Sequence, residues 1–176
     1  MIRQTVIAYW LIPSESAHSL FQAIINDLAG RYDAPVFEPH LTIYVGADRA
    51  DGAEEALGNA ARLFKLTRLT PLGIDQSNEF IKTLFVQFAM SVELRRINDF
   101  IRDAANDSMS YELKPHLSLL YKNLAAASRC QLAASISVQL SEVTFDTIKA
   151  VRCVSPTQSR ADVESWQTLV TNKLLA

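Results

Sequence analysis

Two of the three histidines in this chain lie in a short phrase that occurs twice. The sequence Pro-His-Leu-Thr at 39–42 returns as Pro-His-Leu-Ser at 115–118, so each histidine is followed two positions later by a hydroxyl side chain. Histidine is the one side chain whose unperturbed pKa lies near neutral pH. The repeat therefore predicts a paired acid and base around one anion, rather than two structural histidines in similar turns.

The spacing within each phrase determines what the residues can do together. On a β-strand, side chains two positions apart share a face, so His40 faces the same way as Thr42, and His116 the same way as Ser118. Each pair is separated by about 7 Å, from the usual rise per residue. Two such pairs suit phosphoryl transfer: one imidazole takes a proton from water, the other protonates the leaving oxygen, and the hydroxyls hold the phosphoryl oxygens in line. The same alternation turns Tyr44 toward the face of Thr42.

The elements that must position these residues are also duplicated. A β-rich run at 5–12 precedes a helical pattern at 17–28, with Ser14 as N-cap and Gly30 as the stop. A β-rich run at 80–88 and a helical pattern at 94–105 precede the second phrase, which a polar stretch at 106–110 introduces. The order strand, helix, histidine-bearing strand thus occurs twice. It predicts two lobes related by a pseudo-dyad, with one His-x-hydroxyl pair from each.

The remaining periodicity predicts helices at 51–64 and 124–134 and strands at 66–74 and 143–154, the first broken near Pro71 and Gly73. Residues 166–170 fit a helix or a strand equally well. Because no long linker separates the halves, we expect one domain over 1–176 whose lobes share a sheet.

Composition limits the class of protein. The chain has 176 residues, 49% of them hydrophobic, and a net charge of −2, which argues against a broad nucleic-acid surface but allows a small anionic ligand. The apolar run at 6–12 is too short to span a membrane and lacks a cleavage pattern. Cys130 and Cys153 lack the spacing of a metal site, and we expect both to be reduced thiols. Cys153 is expected in the core. We expect the protein to be a cytoplasmic monomer.

The two His-x-Thr/Ser motifs resemble the signature of the two-histidine phosphoesterase superfamily. Within it, the chain is most similar to the cyclic phosphodiesterase branch, and the matching phrases span nearly its whole length. They are Trp-Leu-Ile-Pro at 10–13, Phe-Glu-Pro-His-Leu-Thr at 37–42, Pro-His-Leu-Ser-Leu-Leu-Tyr at 115–121 and Glu-Ser-Trp-Gln-Thr at 164–168.

The resemblance implies an α/β fold of the α+β type. It would be bilobal, with two antiparallel sheets related by a pseudo-two-fold around a central cleft, helices outside, and 166–170 as a final strand. It also implies an enzyme without metal or cofactor that hydrolyses cyclic phosphodiesters, such as nucleoside 2′,3′-cyclic phosphates or ADP-ribose 1″,2″-cyclic phosphate. The catalytic residues would be His40, Thr42, His116 and Ser118. Tyr121 would lie by the phosphate, which requires the strand to end or bulge after Ser118.

Other residues have less specific signals. Trp10 could stack a base or line the cleft, although a lone strand aromatic is more often core. Lys82, expected in a strand near the cleft, could offset phosphate charge or be a solvated lysine. Tyr44 is expected to pack in its strand, and His18 to lie on the surface. A zinc site is the rival use of two histidines, but zinc usually takes three or four protein ligands, and neither motif supplies a third.

Two other functions compete with hydrolysis of small cyclic phosphates. One is processing of RNA ends that carry 2′,3′-cyclic phosphates, or phosphodiesterase or ligase activity on 2′-5′ linkages, which the slight acidity of the chain disfavours. The other is a non-catalytic nucleotide- or RNA-binding module, which the presence of both histidines and both hydroxyls disfavours. The sequence leaves open which histidine is the base.

Overall fold

Eight β-strands and five α-helices form the computed structural model, which describes residues 3–106 and 109–176. The strands are β1 (Gln4–Pro13), β2 (Leu41–Ala47), β3 (Thr67–Leu69), β4 (Pro71–Gln76), β5 (Leu84–Phe88), β6 (His116–Leu120), β7 (Val143–Ser155) and β8 (Gln167–Lys173). The helices are α1 (Glu15–Tyr32), α2 (Ala50–Leu63), α3 (Val92–Ala105), α4 (Ala126–Ser135) and α5 (Arg160–Glu164). A 3₁₀ turn covers Phe80–Lys82.

The named strands pair antiparallel in the order β3-β7-β1-β2-β6-β5-β4, and β8 adds to β7. The antiparallel α/β architecture and the shared sheet are thereby confirmed. The two expected sheets are joined into one hydrogen-bonded path, because β2 and β6 pair at Leu41 and Leu117. These leucines directly follow the two histidines, so the pairing brings the repeated phrases side by side.

Strand β1 separates the main core from the cleft. Its odd-numbered residues Ile7, Tyr9 and Leu11 pack in the main hydrophobic core. The apolar stripe of α1, which includes Phe21, packs in the same core. The even-numbered residues of β1 face the other way, and Trp10 among them joins a small separate cluster. Because apolar burial is favourable on both faces, this strand is anchored firmly at the centre of the sheet.

The helices differ from the prediction in two places. Helix α1 continues through Gly30 and ends where Asp33 adopts a left-handed conformation, with its N–H donating to the carbonyl of Ala29. Gly30 was therefore wrongly assigned as the stop, because a left-handed Asp33 provides the C-terminal cap. Ser14 does occupy the N-cap position, but its side chain makes no capping hydrogen bond. Helix α5 was not predicted, although Ser159 caps it by accepting from the backbone N–H of Asp162.

The stretch at 80–88 is only partly a strand. Its first three residues form the 3₁₀ turn, so Lys82 lies in that turn and the prediction of a strand there is wrong. The hydroxyl of Thr83 donates to main-chain carbonyls and holds the turn against Lys122, beyond the end of β6. Of the polar stretch predicted at 106–110, residues 107 and 108 lie outside the described residues. The other predicted helices and strands are present. The segment 166–170, which fitted a helix or a strand, is a strand, because β8 begins at Gln167.

Candidate active site

A cavity of about 400 Å³ opens on the face of the sheet that is turned away from the main core. Strands β1, β2, β6 and β7 contribute to its walls, together with the 3₁₀ turn. Its lining includes every site residue expected from the sequence: Trp10, His40, Thr42, Lys82, His116, Ser118 and Tyr121. The two repeated phrases therefore meet at one concave site.

His40 lies immediately before β2 and is 6% exposed. Its ring stacks on Trp10, with ring centroids 3.7 Å apart and an angle of 15° between the planes. Its Nδ1 is 2.6 Å from the main-chain carbonyl of Glu38. Because a carbonyl oxygen can only accept, Nδ1 carries the hydrogen, and the neutral ring keeps its lone pair on Nε2.

His116 repeats this arrangement as the first residue of β6. Its Nδ1 is 2.7 Å from the carbonyl of Lys114, again the residue two positions earlier. The ring is half-buried and meets Phe85 edge-on, with centroids 5.5 Å apart. Both imidazoles are thus held in the same tautomer, and each can use Nε2 to take or give a proton.

Burial makes both imidazoles weak bases. The pKa of His40 is lowered from 6.5 to about 4, chiefly by burial; the hydrogen bond to Glu38 opposes this shift, and the charges of His116 and Lys149 contribute to it. Burial also lowers the pKa of His116, with a smaller contribution from the charge of Lys82. Both rings are therefore neutral in the free protein at pH 7, and a bound anion would favour the charged form of either.

The hydroxyl groups lie beside the rings. Thr42 lies opposite Trp10 in the β1–β2 pairing and lines the cavity. Ser118 is buried, and its Oγ donates to the carbonyl of Ile81 over 2.8 Å. Tyr121 lies beside Ser118, and burial raises the pKa of Tyr121, so that its phenol stays protonated.

Tyr121 reaches the cavity because β6 ends at Leu120. The strand thus stops where the sequence argument required it to stop or bulge. The ring then stacks on Phe37, with centroids 3.8 Å apart and an interplanar angle of 10°. Phe37 belongs to the segment that leads into His40, so this contact ties the two histidine-bearing segments together.

The mouth of the cavity on the His116 side carries charges of both signs. Lys82 lies over the ring of Phe85, with its Nζ 4.6 Å from the centroid. Lys114 forms an ion pair of 2.7 Å with Glu112, and Glu79 is the other acidic residue in the lining. Since two lysines are balanced by two carboxylates, this rim does not form a basic track for a polyanion.

Several lining residues were not identified from the sequence. Trp166 meets His40 edge-on at 5.9 Å between centroids, and its indole Nε1 is buried with no hydrogen-bond partner among the described residues. Its only signal was its place in the matched phrase at 164–168. Tyr111 donates to the carbonyl of Thr42, and burial raises the pKa of Tyr111 to about 12. Nothing in the local pattern around Tyr111 indicated this contact.

Three residues lie elsewhere than expected. The β1–β2 register shifts between Tyr9 and Trp10, so Tyr44 faces Tyr9 in the main core while Thr42 faces Trp10 at the cleft. This bulge breaks the predicted alternation, although Tyr44 is packed as expected. Cys153 is half-buried in the cavity wall, where it packs against the small cluster that contains Trp10 rather than in the main core, and burial raises its pKa to about 11. His18 is half-buried rather than on the surface.

Two observations concern metals and membranes. Within residues 3–106 and 109–176, no three or more His, Cys, Asp or Glu side chains gather as a metal-binding group. In the same ranges, none of the helices combines the length and apolarity needed to cross a bilayer.

An antiparallel α/β fold with two imidazoles in one cleft is the arrangement of the two-histidine phosphoesterases, and this protein is of that class. The chain belongs to the cyclic phosphodiesterase-like protein family, whose model matches residues 5–174. It is an enzyme of the cyclic phosphodiesterase type. Among curated proteins, it is 23% identical to the cyclic phosphodiesterase of Arabidopsis thaliana over 172 residues, which cover 96% of this chain and 94% of that protein.

Solved structures share the fold at low sequence identity. Escherichia coli LigT complexed with 3′-AMP superposes with a TM-score of 0.63 and 15% identity, covering 97% of this chain and 98% of LigT. TT0787 of Thermus thermophilus superposes with a TM-score of 0.62 and 14% identity, covering 96% of this chain and 97% of TT0787. LigT has also been solved with NADP⁺ and with ATP. These neighbours establish the α/β architecture.

Proposed function

We propose that this enzyme hydrolyses small cyclic phosphodiesters without a metal ion, using His40 and His116 as acid and base. Its substrates would be nucleoside 2′,3′-cyclic phosphates or ADP-ribose 1″,2″-cyclic phosphate. One observation carries the proposal: both imidazoles line one cavity, and a main-chain carbonyl holds each at Nδ1. This arrangement leaves two equivalent Nε2 atoms for two proton transfers.

The chemistry follows from these two nitrogen atoms. The Nε2 lone pair of one histidine takes a proton from water as the water oxygen attacks phosphorus. The bond from phosphorus to one ring oxygen breaks, and Nε2–H of the other histidine protonates that oxygen. The product is a phosphate monoester with a free hydroxyl, and the two rings have exchanged protonation states. General acid–base transfer of this kind contributes about 10²–10⁴-fold to a rate.

The hydroxyl groups would orient the phosphoryl oxygens between the rings. In the free protein the Ser118 hydroxyl hydrogen is donated to the carbonyl of Ile81, so it must rotate to meet a phosphate. Tyr121, whose phenol stays protonated, would supply a second neutral donor. Thr42 would serve from the other strand. Because these donors are positioned in advance, they help to align water, phosphorus and leaving oxygen.

A pseudo-two-fold between the phrases would place the two rings on opposite sides of phosphorus. The pairing of Leu41 with Leu117 supports this symmetry, because it sets equivalent residues of the two phrases opposite each other. An in-line displacement needs a base on the entering side and an acid on the leaving side.

The charges of the site favour a small substrate over an RNA chain. The cavity rim balances its lysines with carboxylates, whereas a polyanion would need a continuous basic surface. LigT has been solved with small nucleotides, which is consistent with ligands of this size in the shared fold. Trp10 is 4% exposed and stacks on His40, so its role is to support that ring rather than to stack a base.

The first test is hydrolysis in the presence of a chelator. Nucleoside 2′,3′-cyclic phosphates should be converted to monophosphates at the same rate with and without excess EDTA, because the histidines supply both proton transfers. Product formation is followed by chromatography on a panel that includes ADP-ribose 1″,2″-cyclic phosphate and an RNA with a cyclic phosphate end. Loss of activity in EDTA with recovery on zinc would refute the mechanism, and binding without turnover of any substrate would indicate a non-catalytic module.

The second test is the pH dependence of the reaction. The active free enzyme has one charged and one neutral imidazole, and both pKa values lie below 6.5, that of His40 at about 4. The plot of kcat/KM against pH should therefore be a bell with its maximum between about pH 4 and 6.5, and its limbs belong to the pair. The limbs of kcat should lie at higher pH, because the bound phosphate anion favours the charged ring. A kcat/KM maximum above pH 7, with chemistry rate-limiting, would contradict the lowered pKa values of these two rings.

A further inference from the structure

The segment that carries His40 belongs to neither a helix nor a strand. Residues 34–40 connect the end of α1 to the start of β2. Side chains from two other elements hold this segment: Gln22 of α1 donates to the carbonyl of Phe37, and Lys149 of β7 binds Glu38. The residue before His116 is held differently, because the carbonyl of Pro115 accepts from the backbone N–H of Phe88 in β5.

The Lys149–Glu38 contact is a strong and partly buried ion pair. Lys149 Nζ lies 2.6 and 2.7 Å from the two carboxylate oxygens of Glu38, and the side chains are 17% and 32% exposed. Charge-assisted hydrogen bonds of this length are among the stronger ones in proteins. The main-chain carbonyl of Glu38 is also the acceptor that holds Nδ1 of His40. One residue thus connects the ion pair to the imidazole.

Lys149 is also next to the other support of the ring. It pairs with Trp10 in the β1–β7 register, and Trp10 stacks on His40. Lys149 therefore supports the His40 ring at two points, through Glu38 at Nδ1 and through Trp10 at the stacked face.

The repeated phrases differ in charge at this point. The residue two positions before the histidine is Glu38 in one phrase and Lys114 in the other. Lys114 is exposed and pairs with Glu112 at the cavity mouth, whereas Glu38 is half-buried and tied across the sheet. The local geometry of the rings is the same, but their surroundings are not.

We propose that the Lys149–Glu38 ion pair is a positioning device that fixes His40 against Trp10. The role of the ring in catalysis rests on the proposed function, whereas the positioning itself does not. Other titratable groups that line the same cavity as His40 include His116 from β6, Tyr121 beyond β6, Cys153 on β7 and Lys82 in the 3₁₀ turn. His18 of α1 faces the pair from outside, with Nε2 3.7 Å from Glu38.

The test uses Lys149→Met and Glu38→Gln, with Asp48→Asn as the matched control. Asp48 forms a two-bond ion pair with Arg152, also on β7, and neither residue lines the cavity. The ring protons of the histidines are titrated by NMR in the free protein. Only three histidines must be assigned, and single His→Asn variants assign them. The kinetic constants for a nucleoside 2′,3′-cyclic phosphate are measured on the same samples.

Lys149→Met should raise the titration midpoint of His40 by more than half a pH unit, because a nearby cation is lost and water gains access to the ring. It should lower kcat about tenfold while KM changes less than about twofold, since a displacement of about 1 Å can cost up to a hundredfold in rate. Glu38→Gln keeps an acceptor for Lys149, so kcat should stay within about threefold. Its midpoint for His40 should fall, because the lysine charge is no longer balanced. Asp48→Asn should change neither quantity.

An unchanged midpoint and kcat in folded Lys149→Met would overturn the proposal, and so would equal changes in Asp48→Asn. Glu38→Gln gives an independent answer from its His40 midpoint if Lys149→Met does not fold: a rise or no change would show that the ion pair does not act on the ring. If the midpoints move as expected but the wild-type protein hydrolyses no cyclic phosphate, the positioning stands and the proposed function fails.

Discussion

His40→Asn and His116→Asn should each lower kcat on a nucleoside 2′,3′-cyclic phosphate by about a hundredfold or more. An asparagine amide can donate to the carbonyls of Glu38 and Lys114 as the Nδ1–H groups do. It cannot carry a proton to or from the substrate, so the substitution removes the titrating nitrogen and keeps the local hydrogen bond. The expected loss is the usual contribution of general acid–base catalysis. Steady-state kinetics at the pH optimum, with thermal unfolding to confirm the fold, measure it.

The double variant and the hydroxyl variants provide the comparisons. His40→Asn/His116→Asn should lose far less than the product of the two single losses, because the histidines act as a unit. Thr42→Val and Ser118→Ala should lose less than either histidine variant, since each removes one phosphate contact and no proton transfer. A folded single histidine variant with wild-type turnover would exclude that residue from the mechanism.

The sequence was sufficient to predict that the two histidines share one cleft, because residue spacing and periodicity agree there. His-x-hydroxyl spacing, a preceding apolar run and a preceding amphipathic helix occur twice, and the sheet brings the two copies together through Leu41 and Leu117. Few folds satisfy a sequence pattern that repeats at several levels of structure. The end of β6 before Tyr121 agrees with what the family resemblance required, because Tyr121 could reach the cavity only if the strand ended or bulged after Ser118.

The supporting residues of the site could not be predicted, because tertiary contacts determine them. A bulge opposite Tyr9 and Trp10 turns Tyr44 away from the cleft, and no local signal marks it. Lys82 lies in a 3₁₀ turn that is held by Thr83 through a carbonyl beyond β6. The partner of Glu38 comes from a strand more than a hundred residues later in the chain. Period-two and period-3.6 patterns contain no information about such long-range pairs.

The two histidines differ enough in environment that a leaving-group experiment should separate their roles. With p-nitrophenolate as leaving group, the departing oxygen needs no proton, so the general acid becomes dispensable while the base is still required to activate water. On thymidine 3′-(p-nitrophenyl phosphate), one of the two His→Asn variants should recover to within about tenfold of wild type. The other should remain about a hundredfold or more below it. The variant that recovers lacks the acid.

This design is sharper than the pH profile, because exchanging the roles of His40 and His116 predicts the same bell. The substrate also lacks a 2′-hydroxyl, so the base cannot promote attack by a neighbouring 2′-oxygen in place of water. Release of p-nitrophenolate is read by its absorbance at a pH where both variants are folded. Recovery of both variants would mean that neither histidine activates water. Recovery of neither would mean that both rings act on the attacking side or only bind the phosphate, and in either case a paired acid and base would be the wrong mechanism for this cleft.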